Sequence, residues 1–228
     1  HPDYDPESPG SPTYKGDPRY FGDMITHMDA NIGRIVDQLE DLGLRENTLI
    51  LFTGDNGTDR PIVTLMRDGS KVAGGKREMT DAGTRVPLIA NWPGTVPAGR
   101  VSGELVDFSD FLPTFGELAG VPVQQVPEVD GRSFVSQLKS EGGEPRQWIY
   151  CWFSRNGGPD GRAWARNQRY KLYASGEFYD VRNDVLEEYP LSFLSLEQVG
   201  VRVRLQEVLN AYSSRRYDAL PEAPTPSN

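Results

Sequence analysis

Thr48-Leu49-Ile50-Leu51-Phe52-Thr53 is an unbroken β-branched and apolar run that stops abruptly at Gly54-Asp55-Asn56-Gly57. The run is too short for a helix and is bounded by turn formers. It is therefore expected to be a strand buried on both faces, in the manner of a central parallel strand. Just ahead of it, Phe21, Ile25, Met28, Ile32, Ile35, Leu39 and Leu42 recur at spacings of four and three, which is one face of a long helix. Asp17 is placed to cap that helix, with Pro18 in the first turn where a missing N–H costs nothing. Gly43 closes it. A long amphipathic helix feeding a buried strand begins an alternation that favours a layered α/β domain. A glycine-rich loop to about residue 83, a strand over Arg85–Ala90 and a helix over Asp107–Ala119 closed by Gly120 continue the alternation.

Beyond residue 120 the pattern changes. Trp148–Phe153, Arg162–Asn167, Tyr170–Ala174 and Glu177–Val181 are short strand-like runs separated by Gly, Asn and Asp turns, which predicts a small antiparallel sheet. Val201, Leu205, Val208, Leu209 and Tyr212 mark one face of a last helix suited to cover that sheet. The expected organisation is an α/β domain over 1–120, a connecting segment over 121–146, a small α+β subdomain over 147–213 and a polar, Pro-rich, mobile tail over 214–228.

Composition removes several classes of function. A formal net charge of −9 argues against a nucleic-acid backbone or an anionic membrane surface as partner. No apolar run approaches the length of a membrane span. The single cysteine, Cys151, excludes an intramolecular disulfide. The chain begins at His1 inside a Pro-rich stretch and reads as a piece of something longer.

The residues suited to chemistry gather after the first strand. In open α/β sheets, ligands bind beyond the carboxyl ends of the strands. Asp55 and Asn56 lie at such an end, between glycines that let the backbone turn sharply and approach a bound group. A carboxylate beside an amide carbonyl offers two hard oxygen ligands, which suits Ca²⁺ or Mg²⁺ better than zinc. Taken alone, an Asp-Asn-Gly sequence is more often a plain turn. Lys76, in Gly74-Gly75-Lys76, is a candidate anion contact on the following loop. His27, on the first helix beside the apolar stripe, reads as a surface residue.

Leu49 to Gly57, then Gly74-Gly75-Lys76, then Thr80-Asp81-Ala82-Gly83-Thr84-Arg85-Val86-Pro87-Leu88-Ile89 resembles the second half of the type I sulfatase family, in order and in gaps. The helix before the strand and Leu105-Val106-Asp107-Phe108-Ser109-Asp110-Phe111-Leu112-Pro113-Thr114 resemble it too. The resemblance implies part of an alkaline-phosphatase-like layered sheet domain, followed by the small antiparallel sheet and its C-terminal helix. It also implies roles residue by residue. Asp55 and Asn56 match the two later metal ligands, for Ca²⁺ rather than Mg²⁺. Lys76 matches a sulfate contact, and His1, in His1-Pro2-Asp3-Tyr4-Asp5-Pro6, matches a histidine near the leaving-group oxygen. Asp81 and Arg85 match a region expected to hold a buried Arg–carboxylate pair bracing the loop.

The implied activity is that of a sulfuric ester hydrolase acting on a small sulfate ester or a sulfated glycan. The family nucleophile, a formylglycine made from cysteine, would lie upstream with two further acidic metal ligands, in an N-terminal half absent from this sequence. The isolated chain is accordingly expected to be inactive. Cys151-Trp152-Phe153-Ser154-Arg155 imitates the modification motif, but phenylalanine replaces its proline and it follows the metal pair instead of preceding it. Family resemblance implies export to a periplasmic, secreted or lysosomal location. The alternatives are a phosphodiesterase or phosphonate hydrolase of the same superfamily, which usually adds histidine ligands, and a non-catalytic remnant.

Overall fold

The computed structural model describes residues 18–121, 129–155 and 160–215. The chain forms two compact units, 1–98 and 99–228. This break lies earlier than the boundaries at 120 and 146 expected from sequence. The polar tail beyond 215, and Asp17 as a helix cap, lie outside the described residues.

The first unit opens with helix α1 (Pro18–Asp41). Its C-terminus is closed by two reciprocal bonds: the Leu44 amide donates to the Leu39 carbonyl (2.9 Å) and the Gly43 amide to the Glu40 carbonyl (2.9 Å). Gly43 sits at φ +66°, the left-handed conformation this closure demands of the residue after the cap. Much of the apolar side of α1 is exposed: Met24, Ile25, Met28, Ile35 and Leu42 face solvent, while Phe21, Ile32 and Leu39 are half-buried.

A 3-10 turn, Arg45–Asn47, leads into β1 (Ile50–Thr53). β1 pairs antiparallel with β4 (Leu88–Asn91), in the register Ile50↔Asn91 to Thr53↔Leu88. The strand is half-buried throughout. The expectation of a parallel strand buried on both faces is therefore corrected. The apolar run specified a strand that needs covering, but among the described residues no neighbour lies on its second edge. Between β1 and β4 the glycine-rich loop is more structured than its composition suggests. It holds a hairpin, β2 (Val63–Leu65) with β3 (Lys71–Ala73), and a single helical turn, α2 (Asp81–Thr84). The strand after α2 begins at Leu88 and not at Arg85, consistent with Pro87, which has no N–H to give a ladder.

The second unit carries the larger buried core. α3 (Phe111–Leu118) follows a 3-10 turn whose start is a reciprocal cap, the Asp107 carboxylate accepting from the Ser109 amide and Asp110 from the Asp107 amide. After the short α4 (Val135–Lys139), strands β5 (Ile149–Phe153), β6 (Arg162–Arg166), β7 (Tyr170–Tyr173) and β8 (Phe178–Asp180) form an antiparallel meander in that order. α5 (Leu196–Tyr212) starts at a Ser195–Gln198 capping box and lays Val201, Leu205, Val208 and Leu209 on Ala163, Ala165, Leu172 and Phe178. The two alanines of β6 let the helix come close, and burial of this cluster supplies the main apolar driving force of the unit. Here the sequence periodicities of two and 3.6 meet as expected.

Among the described residues no helix is long and apolar enough to cross a membrane.

Candidate functional site

Asp55 and Asn56 lie just past the end of β1, separated from it by Gly54. Their positions are fixed by backbone packing that tolerates no side chain. The Gly57 amide donates to the Gly83 carbonyl at 2.9 Å, and a Cβ on Gly57 would fall 1.9 Å from the Ala82 carbonyl oxygen. Gly74 is just as tight, with its would-be Cβ 2.0 Å from the Asp59 oxygen. Gly83 would meet the Glu78 and Gly75 oxygens at 2.2 and 2.4 Å. The segments 57–59, 74–78 and 82–83 thus cross at van der Waals contact, which only glycine permits. An ion pair between Arg60 and Glu78 closes the outer side.

This crossing brings the backbone at Lys76 close to the segment that follows Asp55 and Asn56. The Lys76 amide donates to the Thr58 carbonyl at 3.0 Å, two positions beyond Asn56. Asp55 and Lys76 are exposed and Asn56 is half-buried. None of the three side chains makes a hydrogen bond or ion pair with another described residue. Among the described residues their oxygens and ammonium are uncommitted, which leaves them available to a ligand. As a candidate metal site the set is incomplete: it offers two side-chain oxygens, where a calcium ion takes roughly six to eight. Among the described residues no group of three or more His, Cys, Asp or Glu is placed to hold a metal. The donor chemistry fits a hard divalent cation, with most of its ligands to come from elsewhere.

His1 lies outside the described residues. His27 is exposed on α1. Cys151 sits in β5 opposite Trp164, and burial pushes its thiol up to about 11, against a smaller opposing effect of Lys171. A thiol so placed is protonated at neutral pH and poorly reactive.

The expected brace between Asp81 and Arg85 is corrected. Asp81 is buried, but Arg85 is exposed and its guanidinium has no partner among the described residues. The Arg85 amide closes on the Asp81 carbonyl (2.9 Å), but Arg85 itself has left the helix, with extended backbone at φ −94° and ψ 115°, so the side-chain approach of an i, i+4 pair inside a continuing helix is not enforced. The β2–β3 hairpin beside the site was not anticipated. Its signal was Val63-Thr64-Leu65 and Lys71-Val72-Ala73 around Asp68-Gly69, a short alternation hidden in glycine-rich surroundings.

Residues 1–121 match the family model "Sulfatase", and residues 73–213 match "N-sulphoglucosamine sulphohydrolase, C-terminal". The chain belongs to the sulfatase family. This sulfatase-family chain is 34% identical over 153 residues to human arylsulfatase A, covering 67% of the chain and 30% of that protein. It is 36% identical over 114 residues to N-acetylgalactosamine-6-sulfatase of Canis lupus familiaris, covering 49% of the chain and 22% of that protein. The chain thus spans only a minor part of the curated relatives it matches. Among solved structures it is similar to BT4656 in complex with its substrate D-glucosamine-2-N,6-O-disulfate, with TM-score 0.68 and 27% identity over 86% of this chain and 41% of that one. Ps i-CgsB in complex with k-i-k-neocarrahexaose shares the fold, with TM-score 0.70 and 24% identity over 90% of this chain and 45% of that one. The fold is the alkaline-phosphatase-like mixed α/β arrangement of sulfatases, with the small antiparallel sheet and C-terminal helix of the second unit.

Proposed function

We propose that this chain supplies the later half of a sulfatase active site, for hydrolysis of a sulfate ester by the longer protein to which it belongs. The observation that carries this reading is the trio Asp55, Asn56 and Lys76. A sulfatase-family chain holds them on a glycine-locked crossing, and none of their side chains has a partner among the described residues. Asp55 and Asn56 would hold the calcium ion. When bound, that ion supplies positive charge against the sulfate oxygens and lowers the repulsion an approaching nucleophile meets. Lys76 binds and orients the sulfate as a point charge, adding stabilisation where negative charge develops. His1 protonates or hydrogen-bonds the leaving oxygen.

The nucleophile, a formylglycine, and the remaining acidic ligands are assigned to the N-terminal half of the parent protein. The exposed apolar residues of α1 and the half-buried β1 support this division, because both are surfaces that further chain would bury. Cys151 does not take the nucleophile's place: its thiol is buried and held protonated. The substrate is a sulfated glycan or a smaller sulfate ester. The relative bound to its disulfated glucosamine substrate favours the glycan.

Assay of an aryl sulfate tests this reading. The 228-residue chain alone should show no turnover, and the parent protein should turn over and lose activity on Lys76→Ala. Turnover by the chain alone, or an upstream sequence without a modified cysteine or serine by mass spectrometry, would overturn it.

A further inference from the structure

Gly75 to Glu78 form a four-residue turn, closed by the Glu78 amide donating to the Gly75 carbonyl at 2.7 Å, with Lys76 and Arg77 as its central pair. Arg77 stands at φ +75° and Lys76 has no positive φ, which makes this a type II turn. The third position of such a turn suits glycine or asparagine, because in the left-handed region a Cβ crowds the following carbonyl oxygen. Among the described residues Ser140 and Glu187 are the other non-glycine residues at positive φ. Ser140 follows the end of α4, where a left-handed residue is common, and Glu187 is held by its buried pair with Lys171. Arg77 has neither reason.

Both ends of the turn are clamped. The peptide that joins Gly75 to Lys76 is bonded through both of its groups: its carbonyl accepts from Glu78, and its N–H donates to the Thr58 carbonyl at 3.0 Å. The carbonyl oxygens of Gly75 and Glu78 lie so close to Gly83 that a Cβ there would stand 2.4 and 2.2 Å from them. Only the central peptide, between Lys76 and Arg77, is left to turn over, and it does so through ψ at Lys76 and φ at Arg77 together.

We infer that Arg77 is a positioning residue for Lys76: its left-handed backbone holds the turn in the type II form and so sets where the Lys76 side chain leaves the crossing. The inference rests on the sulfatase reading of Lys76. The rotamers open to a side chain depend on its own φ and ψ, so the turn type selects the positions the ammonium can reach. Placement matters for such a group, because a shift of about 1 Å in a catalytic constellation can cost on the order of a hundredfold in rate. A strained residue with no other local demand, next to a group of that kind, is where backbone strain points to function. The effect belongs to the backbone and is the same whatever further chain lies over the Arg77 side chain.

A substitution series at Arg77 tests this in two settings. In the 228-residue chain, hydrogen exchange of the Lys76 amide reads how firmly the turn is held. Arg77→Gly and Arg77→Asn accept a positive φ and should raise its protection, by about fivefold for glycine. Arg77→Val resists that conformation and should lower protection by about as much. In the parent protein, assayed with an aryl sulfate, the glycine and asparagine variants should keep the wild-type kcat. Valine should lower kcat by about tenfold or more with little change in KM, because Lys76 acts where charge develops in the transition state. Arg77→Ala removes the guanidinium at nearly the same backbone cost and should match the wild type in both settings, which keeps the comparison open if the valine variant does not fold. A fall in kcat for the glycine or alanine variant would assign the effect to the guanidinium and overturn the inference. So would Lys76 amide protection that stays constant across the series, or a valine variant that keeps the wild-type kcat while Lys76→Ala loses it. The sulfatase reading fails separately, if Lys76→Ala leaves turnover intact while protection still follows the series.

Discussion

The amide of Gly57 donates to the carbonyl of Gly83 at 2.9 Å, so the turn that carries Asn56 lies directly on the end of α2. The same approach leaves no room for a methyl group: a Cβ on Gly57 would stand 1.9 Å from the Ala82 oxygen. Placement of the candidate ligands therefore depends on residues with no side chain to contribute.

Substitution at two glycines separates this close packing from simple backbone strain. Gly57→Ala must push two backbone segments apart and is expected to destabilise the first unit by about 1–3 kcal/mol or more. It should also shift the amide resonances of Asn56 and Lys76. Gly43→Ala meets nothing within 4 Å, yet sits at φ +66°. It should cost only about 1 kcal/mol and leave those resonances in place. Chemical denaturation with amide NMR spectra checks both.

Cys151 should resist alkylation. Its thiol is raised by burial to about 11, so the thiolate is rarer by roughly a hundredfold than in an unfolded chain. Iodoacetamide at pH 8 should label the native protein slowly and the denatured protein rapidly, read by mass spectrometry. The same shift fixes a sign for stability. An acid whose folded pKa is raised contributes fully below its unfolded value, near 9.0, and loses that contribution as pH climbs towards 11. Tyr173, also raised by burial and by its hydrogen bond to Glu187, acts in the same direction at still higher pH. Alkaline unfolding should begin earlier in the wild type than in Cys151→Ala once the two are normalised at neutral pH.

Lys171 and Glu187 form an ion pair with no exposure on the lysine side chain and 3% on the glutamate, at 2.7 Å. The ammonium also lies 4.5 Å from the centre of the Trp164 ring. Lys171→Met strands a buried carboxylate and should cost about 3–5 kcal/mol. Removing both charges, in Lys171→Met with Glu187→Leu, should restore most of that, because desolvation of the pair offsets much of its attraction. Thermal or urea unfolding of the three proteins gives the comparison.

Much of this was legible in the sequence, and the rest was hidden for physical reasons. Alternating spacings of three and four fixed α1 and α5, and the meander of β5 to β8 was visible as strand-like runs between turns. Gly43 and Gly120 were readable as helix closures because a left-handed residue, most often glycine, commonly follows the last helical turn. The partner of β1 was not readable. An apolar run reports that a strand needs covering, whereas its pairing with Leu88–Asn91 depends on a hairpin and a helical turn in between. The solvent exposure of Arg85 was missed because turn geometry, and not residue type, decides where its side chain goes. Asp55, Asn56 and Lys76 were legible only as an ordered pattern, since an Asp-Asn-Gly turn alone carries little information.

Asp55 and Asn56 are proposed to hold a hard divalent cation. The most direct measurement is a calcium titration of the 228-residue chain followed by backbone amide resonances. Saturable shifts should centre on Gly54 to Gly57, with a dissociation constant on the order of a millimolar or weaker because most ligands are lacking, and should be lost in Asp55→Asn. Shifts that centre elsewhere, or that persist unchanged in Asp55→Asn, would contradict it.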